Sequence, residues 1–158
     1  MSIADFRKAA RTKDIELAMS TLAVDAVLHS PLTDRFTFTG KDDIRRLFEA
    51  AYEEFDGLDY HTVIGGRVLV GGATANGQPF EETLVLDLDG DGRIRELTLF
   101  IRPLPGLTAV MAALGPALAR RNGRRTAGLL RVLTAPLVAA TRFGDRGGLR
   151  LALPRRST

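Results

Sequence analysis

The stretch PFEETLVLDLDGDGRIRELTLFIRP, residues 79–103, holds two alternating segments joined by a four-residue turn signal, Asp89-Gly90-Asp91-Gly92. Alternation along the first segment puts Leu84, Leu86 and Leu88 on one face of a strand and carries Glu82 with them, while Glu81 and Asp87 point the other way. After the turn, Leu97, Leu99 and Ile101 alternate with Thr98 and Phe100, and Pro103 ends the run. The pair reads as a β-hairpin with one apolar and one mixed face. Working outward, LDYHTVIGG (58–66) and RVLVGGATANG (67–77) add two more strands, so that an antiparallel meander of four strands is predicted. Gly65-Gly66 and Gly71-Gly72 lack the spacing and following helix of a phosphate-binding loop and read as bulges or turns.

Upstream, Ile3, Phe6 and Ala10, then Ile15, Ala18, Met19 and Leu22, fall at helical spacing, with Asp14 placed to cap the second run. Two short strands follow, one in AVLHS (26–30) before Pro31 and one in FTFTG (36–40). KDDIRRLFEAAYEEF (41–55) has acidic residues in its first turn and one apolar face made by Ile44, Leu47, Phe48, Ala51, Tyr52 and Phe55, which predicts a helix. Downstream of Pro103 and Pro105, a helix is predicted at about 106–121, with Met111 and Leu114 as cavity wall. A second follows Asn122-Gly123, with Leu129, Leu130, Leu133, Leu137 and Val138 set against Arg124, Arg125, Arg131 and Arg142. The fold class is therefore α+β: a cone-shaped, curved antiparallel sheet packed against N-terminal helices, with extra C-terminal helices. The expected division is a domain over 1–121 and a basic helical extension over 122–158.

The formal charge of +3 conceals a segregation. Of 22 basic and 19 acidic residues, residues 103–158 hold ten and one, which leaves the body at −6 and the C-terminal part at +9. An acidic body, and arginines with no interleaved aromatics, argue against nucleic acid as a partner. The second C-terminal helix is expected to pack its apolar side on the acidic body, with an anionic membrane surface as the lesser alternative. The absence of cysteine and the presence of only His29 and His61 leave little to hold a metal, and no metal or cofactor is expected. No stretch reaches the roughly 18 apolar residues of a membrane span, and the expected location is cytoplasmic.

KDIELAMSTLAVDAVLHSP (13–31), the helix opening GKDDIRRLF (40–48) and DLDGDGRIRELTLFIRP (87–103) together resemble the nuclear transport factor 2-like superfamily, in its SnoaL-like polyketide cyclase and ketosteroid isomerase-like branch. The resemblance runs over roughly residues 3–120. It implies a cone-shaped pocket for a small hydrophobic molecule and a homodimer. It also maps the isomerase's oxyanion-donating tyrosine onto Phe6, its aspartate base onto Ser30 and its protonated aspartate onto Leu84. None of these can perform the ancestral role: a hydroxyl is too weak a base, and Phe and Leu donate nothing. The epoxide hydrolase pattern of the same superfamily maps onto Glu82, Leu84 and Leu99, which leaves one carboxylate.

Glu82 is accordingly the leading catalytic candidate, since a carboxylate facing apolar walls has a raised pKa and can act as acid or base. The competing structural reading has it solvated at the strand's open end or paired with Arg102. Ser30 and His29 are the weaker candidates; on a regular strand one of the two faces the pocket. The sequence leaves open which face His61 shares with Asp59 and Val63. Phe6, Phe48, Tyr52, Leu84, Leu97, Leu99 and Met111 are the expected ligand-binding residues, with the Tyr52 hydroxyl able to donate to a ligand oxygen. The functional expectation is a small hydrophobic-molecule-binding domain, acting as an isomerase, cyclase or hydrolase by acid–base chemistry at one carboxylate; the alternative is a non-catalytic dimeric binding module.

Overall fold

The computed structural model describes residues 3–120 and 124–148. Helices α1 (Ile3–Thr12) and α2 (Ile15–Ser20) form the expected hairpin, and the Asp14 carboxylate accepts from the Leu17 backbone N–H at 3.0 Å to cap α2. Strands β1 (Leu22–His29) and β2 (Thr37–Thr39) lead into α3 (Gly40–Glu54), whose first turn carries Asp42 and Asp43. The meander follows as β3 (Phe55–Ile64), β4 (Val68–Ala75), β5 (Gln78–Leu88) and β6 (Ile94–Arg102). Helices α4 (Leu104–Ala119) and α5 (Arg124–Phe143) and a short π-helical turn at Gly144–Gly148 complete the described chain. Residues 122–123 and 149–158 of the expected extension lie outside the described residues.

Local chemistry sets the turns. Between β5 and β6 the Asp89 carboxylate accepts from the backbone N–H groups of Asp91 (2.9 Å) and Arg93 (2.8 Å). Between β4 and β5, Asn76 and Gly77 both take positive φ (49° and 71°), as a two-residue hairpin loop demands.

The six strands form one sheet in the order β2-β1-β6-β5-β4-β3. Every pairing is antiparallel except β1 with β6, which run parallel, so the sheet is mixed rather than wholly antiparallel as expected. No hairpin links those two strands, and nothing local therefore fixes their relative direction. Register shifts in β1/β6, β3/β4 and β5/β6 bend the sheet, which curves without closing. Its concave face packs Leu28, Leu69, Leu84, Leu86 and Leu97 against Phe6 of α1, Ile44 and Leu47 of α3, and Val110 of α4. This one core holds the helices over the hollow.

Helix α5 lies on α4, but not by the side its pattern suggests. Ala127, Leu130, Thr134, Val138 and Thr141 form its less exposed edge, and Thr141 Oγ1 lies 2.8 Å from Thr108 Oγ1 of α4. Leu129, Leu133 and Leu137 point to solvent. The opposing surface of α4 offers Thr108, Ala112 and Ala113, and a small-residue surface seats a small-residue edge more closely than it seats leucines. Of the arginines expected to face outward, Arg125 is exposed, Arg131 borders the groove between the two helices, and Arg142 donates to the Asn76 carbonyl at 3.1 Å. Among the described residues no helix is long and apolar enough to cross a membrane.

Candidate functional site

Between the concave sheet face and helices α1, α3 and α4 lies a cavity of about 240 Å³, walled almost wholly by apolar side chains. Met111, Leu114 and Leu118 of α4 close one side, and the segment from Ser30 to Phe36 borders another. Its aromatic wall is continuous: the Phe6 ring lies 5.9 Å from Phe48 and 6.0 Å from Tyr60, and Phe48 stacks on Tyr52 at 6.2 Å.

Glu82 stands in this wall and is only 4% exposed. Strand alternation puts it there, and Leu84 and Leu86 share its buried face. Arg102 instead approaches the neighbouring Glu81, at 3.5 Å, on the outer face. The hydrogen-bond partner of Glu82 is the buried Tyr60 hydroxyl, which donates to Glu82 Oε1. Tyr60 is on β3 and Glu82 on β5, so the tyrosine reaches across the intervening β4, two strand spacings or about 9.6 Å. The residue of β4 paired with Glu82 is Gly71. A Cβ there would stand 2.3 Å from the Asp59 carbonyl oxygen and 2.8 Å from Tyr60 Cδ1. The absence of a side chain at 71, together with the register shifts of β3 on either side of Asp59, lets Tyr60 lean over β4 to the carboxylate.

Removal from water raises the Glu82 pKa to about 6, and the Tyr60 hydrogen bond works in the opposite direction. Burial holds both Tyr60 and Tyr52 well above the usual phenol range, helped at Tyr60 by the adjoining Glu82 charge and at Tyr52 by the Asp14 and then the Glu82 charge, so both remain protonated donors. Because the folded protein binds the Glu82 proton more tightly than the unfolded chain, this group's contribution to stability is complete below pH 4.5 and is lost as pH rises through about 6. Glu82→Gln is therefore expected to raise stability at pH 8 by about 2 kcal/mol, or roughly 4–8 °C in Tm, and to change little at pH 4. Thermal melts of both proteins at the two pH values check this.

The other anticipated residues divide. Phe6, Phe48, Tyr52, Leu84, Leu99 and Met111 line the cavity, as does Ser30. Ser30 Oγ accepts from the Leu32 N–H at 3.2 Å, which ties it to the turn at Pro31. His29 does not line the cavity; it lies on the opposite face of β1, with Nε2 3.0 Å from Glu96. Leu97 is fully buried but packs in the core outside the cavity lining, because it lies two residues further from the open end than Leu99. His61 is exposed with Asp59's side of β3, while Leu58 and Tyr60 turn inward. Tyr60 is the polar site residue that sequence reasoning misses, beside apolar lining such as Phe36, Phe38, Leu58 and Leu118; the signal available for Tyr60 is its alternation with Leu58 against the polar set Asp59 and His61. Among the described residues no three His, Cys, Asp or Glu side chains converge to hold a metal ion.

A bent, open sheet folded round a helix-covered cavity is a fold this chain shares with solved nuclear transport factor 2-like proteins. The family model for the SnoaL-like domain matches residues 3–97, and the chain belongs to that family. No curated protein matches the sequence. Among solved structures, a steroid delta-isomerase from Pseudomonas aeruginosa is similar at 23% identity over 76% of this chain and 88% of its own, with a TM-score of 0.62. A bacterial protein with a cystatin-like fold from Silicibacter pomeroyi matches at 20% identity, 75% and 83% coverage and a TM-score of 0.66. A protein of ketosteroid isomerase-like fold from Catenulispora acidiphila, solved in complex with trimethylamine, matches at 14% identity, 72% and 91% coverage and a TM-score of 0.52. At these identities the likeness is one of fold.

Proposed function

We propose that the cavity binds a small, largely apolar molecule and that Glu82, with Tyr60, performs acid–base chemistry on it of the isomerase, cyclase or epoxide hydrolase kind. The observation that carries this reading is a carboxylate set in an apolar wall, bonded to a phenol and to no cation among the described residues. With a pKa of about 6, Glu82 is ionised at neutral pH yet gives back a proton at low cost, as a group that takes a proton from one carbon and returns it to another must. The Tyr52 hydroxyl, held protonated, is the donor for a ligand oxygen. The cavity volume is below the 300–1,000 Å³ range common for ligand sites, which favours a one- or two-ring terpenoid or polyketide fragment over a four-ring steroid.

Titration with apolar ketones and epoxides of that size, read by thermal shift, tests the reading. A ligand at a hundred times its Kd stabilises the fold by about 2.7 kcal/mol. That shift is expected to disappear in Leu99→Trp, which fills the cavity; the same shift in the filled variant would place binding elsewhere.

The second reading, a non-catalytic dimeric binding module, draws on Phe6, Ser30 and Leu84 standing where the isomerase pattern has its catalytic groups. Either way we propose a homodimer through the convex sheet face. There Phe100, Val85 and Ile64 are 57%, 41% and 57% exposed, and the cross-strand rows Phe100–Thr83–Val70 and Thr98–Val85–Val68–Ile64 are uncharged. Sedimentation at micromolar concentration is expected to give the dimer mass, and Phe100→Asp a monomer. A monomeric mass for the unaltered chain would refute this interface.

A further inference from the structure

Helix α5 turns its large apolar side chains away from the protein. Leu129, Val132, Leu133, Leu137 and Phe143 are 59%, 71%, 61%, 45% and 79% exposed. At helical spacing these five fall on one face about 140° wide, with Pro136 and Ala140 among them. The stripe runs about 21 Å along the helix. Its opposite edge is already occupied: Thr141 meets Thr108 of α4, Arg142 bonds the β4–β5 turn, and Arg131 borders the groove. The stripe therefore has no further part to play in holding α5 to its own body.

The charge of the sequence segment that carries the stripe decides what suits it. Residues 103–158 carry ten arginines and one acidic residue, Asp145, a net of +9. A second copy docking stripe to stripe would bring together two segments of the same net sign, which like charge opposes. An anionic lipid surface matches both features: the leucines and Phe143 enter the boundary between headgroups and acyl chains, and the arginine-rich segment is attracted to the phosphates. Binding of an interfacial helix grows with the apolar area it buries and with the attraction of basic residues to anionic lipid, and this segment supplies both. We infer that α5 is an interfacial helix that lays this protein on an anionic membrane surface, apolar stripe inward to the lipid. The contact lies beside the cavity, since α4 lines the cavity with Met111 and Leu114 and carries α5 on its other side.

Vesicle co-sedimentation of the full chain tests it, using phosphatidylcholine alone and phosphatidylcholine with about one third phosphatidylglycerol. Binding to the anionic vesicles is expected to be at least roughly tenfold tighter and to weaken as salt screens the arginines. Leu133→Gln with Leu137→Gln, both exposed positions, is expected to leave Tm unchanged and reduce vesicle binding at least roughly tenfold. The inference is overturned if the unaltered protein ignores anionic vesicles at low salt, or if the double variant binds them as well as before. It is overturned equally if the double variant dissolves an oligomer seen by sedimentation without vesicles, for then a second copy covers the stripe.

Discussion

Gly71→Ala is expected to cost about 3 kcal/mol or more, lowering Tm by roughly 6–12 °C, and to separate Tyr60 from Glu82. The added methyl would meet backbone on one side, at 2.3 Å from the Asp59 carbonyl oxygen and 2.8 Å from Tyr60 Cα, and backbone cannot swing aside as a side-chain tip can. Strand β3 must then lift from β4 at the point where it is already out of register, and the tyrosine moves with it. Gly90 is the matched control: it has open space around its missing Cβ and no positive φ, so Gly90→Ala should stay within about 0.5 kcal/mol. Denaturant unfolding of both variants measures the contrast. Equal stabilities would mean that β4 does not serve as the bridge between the two polar groups.

Glu82→Gln is expected to lower kcat at least about a hundredfold on any substrate the protein turns over, the lower end for removal of a general acid or base. Gln keeps an oxygen for the Tyr60 hydroxyl but cannot accept the proton. Tyr60→Phe separates this role from mere packing. The Tyr60 hydrogen bond lowers the Glu82 pKa, so its loss should move the rising limb of the pH–rate profile upward from about 6, with kcat at high pH less affected than in the Gln variant. A Gln variant of unchanged kcat would remove Glu82 from catalysis, and a profile unmoved in Tyr60→Phe would remove the coupling.

Much of this arrangement is legible in the amino-acid sequence, because it depends on short-range rules. The period of two in residues 79–103 determines which face Glu82 takes, and the Asp89 to Gly92 turn determines the hairpin. The amphipathic run of α3 likewise places Phe48 and Tyr52 on the inward side. What stays hidden depends on partners distant in sequence. Tyr60 bonds a residue 22 positions away over a glycine on a third strand, and no local pattern shows that the gap at Gly71 admits it. The parallel pairing of β1 with β6 is set by the path through α3 and the meander. The orientation of α5 departs from expectation because a leucine stripe ordinarily turns inward, whereas the available surface of α4 is made of alanine and threonine. At the end of β1 the difference amounts to one residue: Ser30 takes the cavity side, and His29 pairs with Glu96 outside.

Whether the space beside Glu82 is a binding site for a small apolar molecule is tested most directly by native mass spectrometry of the protein purified gently from its own host, followed by a crystal structure of the same preparation. A binding site predicts an added mass of a small apolar compound, with density against Phe6, Phe48, Leu84 and Leu99 and an oxygen or acidic carbon within reach of Glu82. A protein of bare polypeptide mass, with Met111 and Leu114 collapsed into the space and Glu82 turned to solvent, would contradict it.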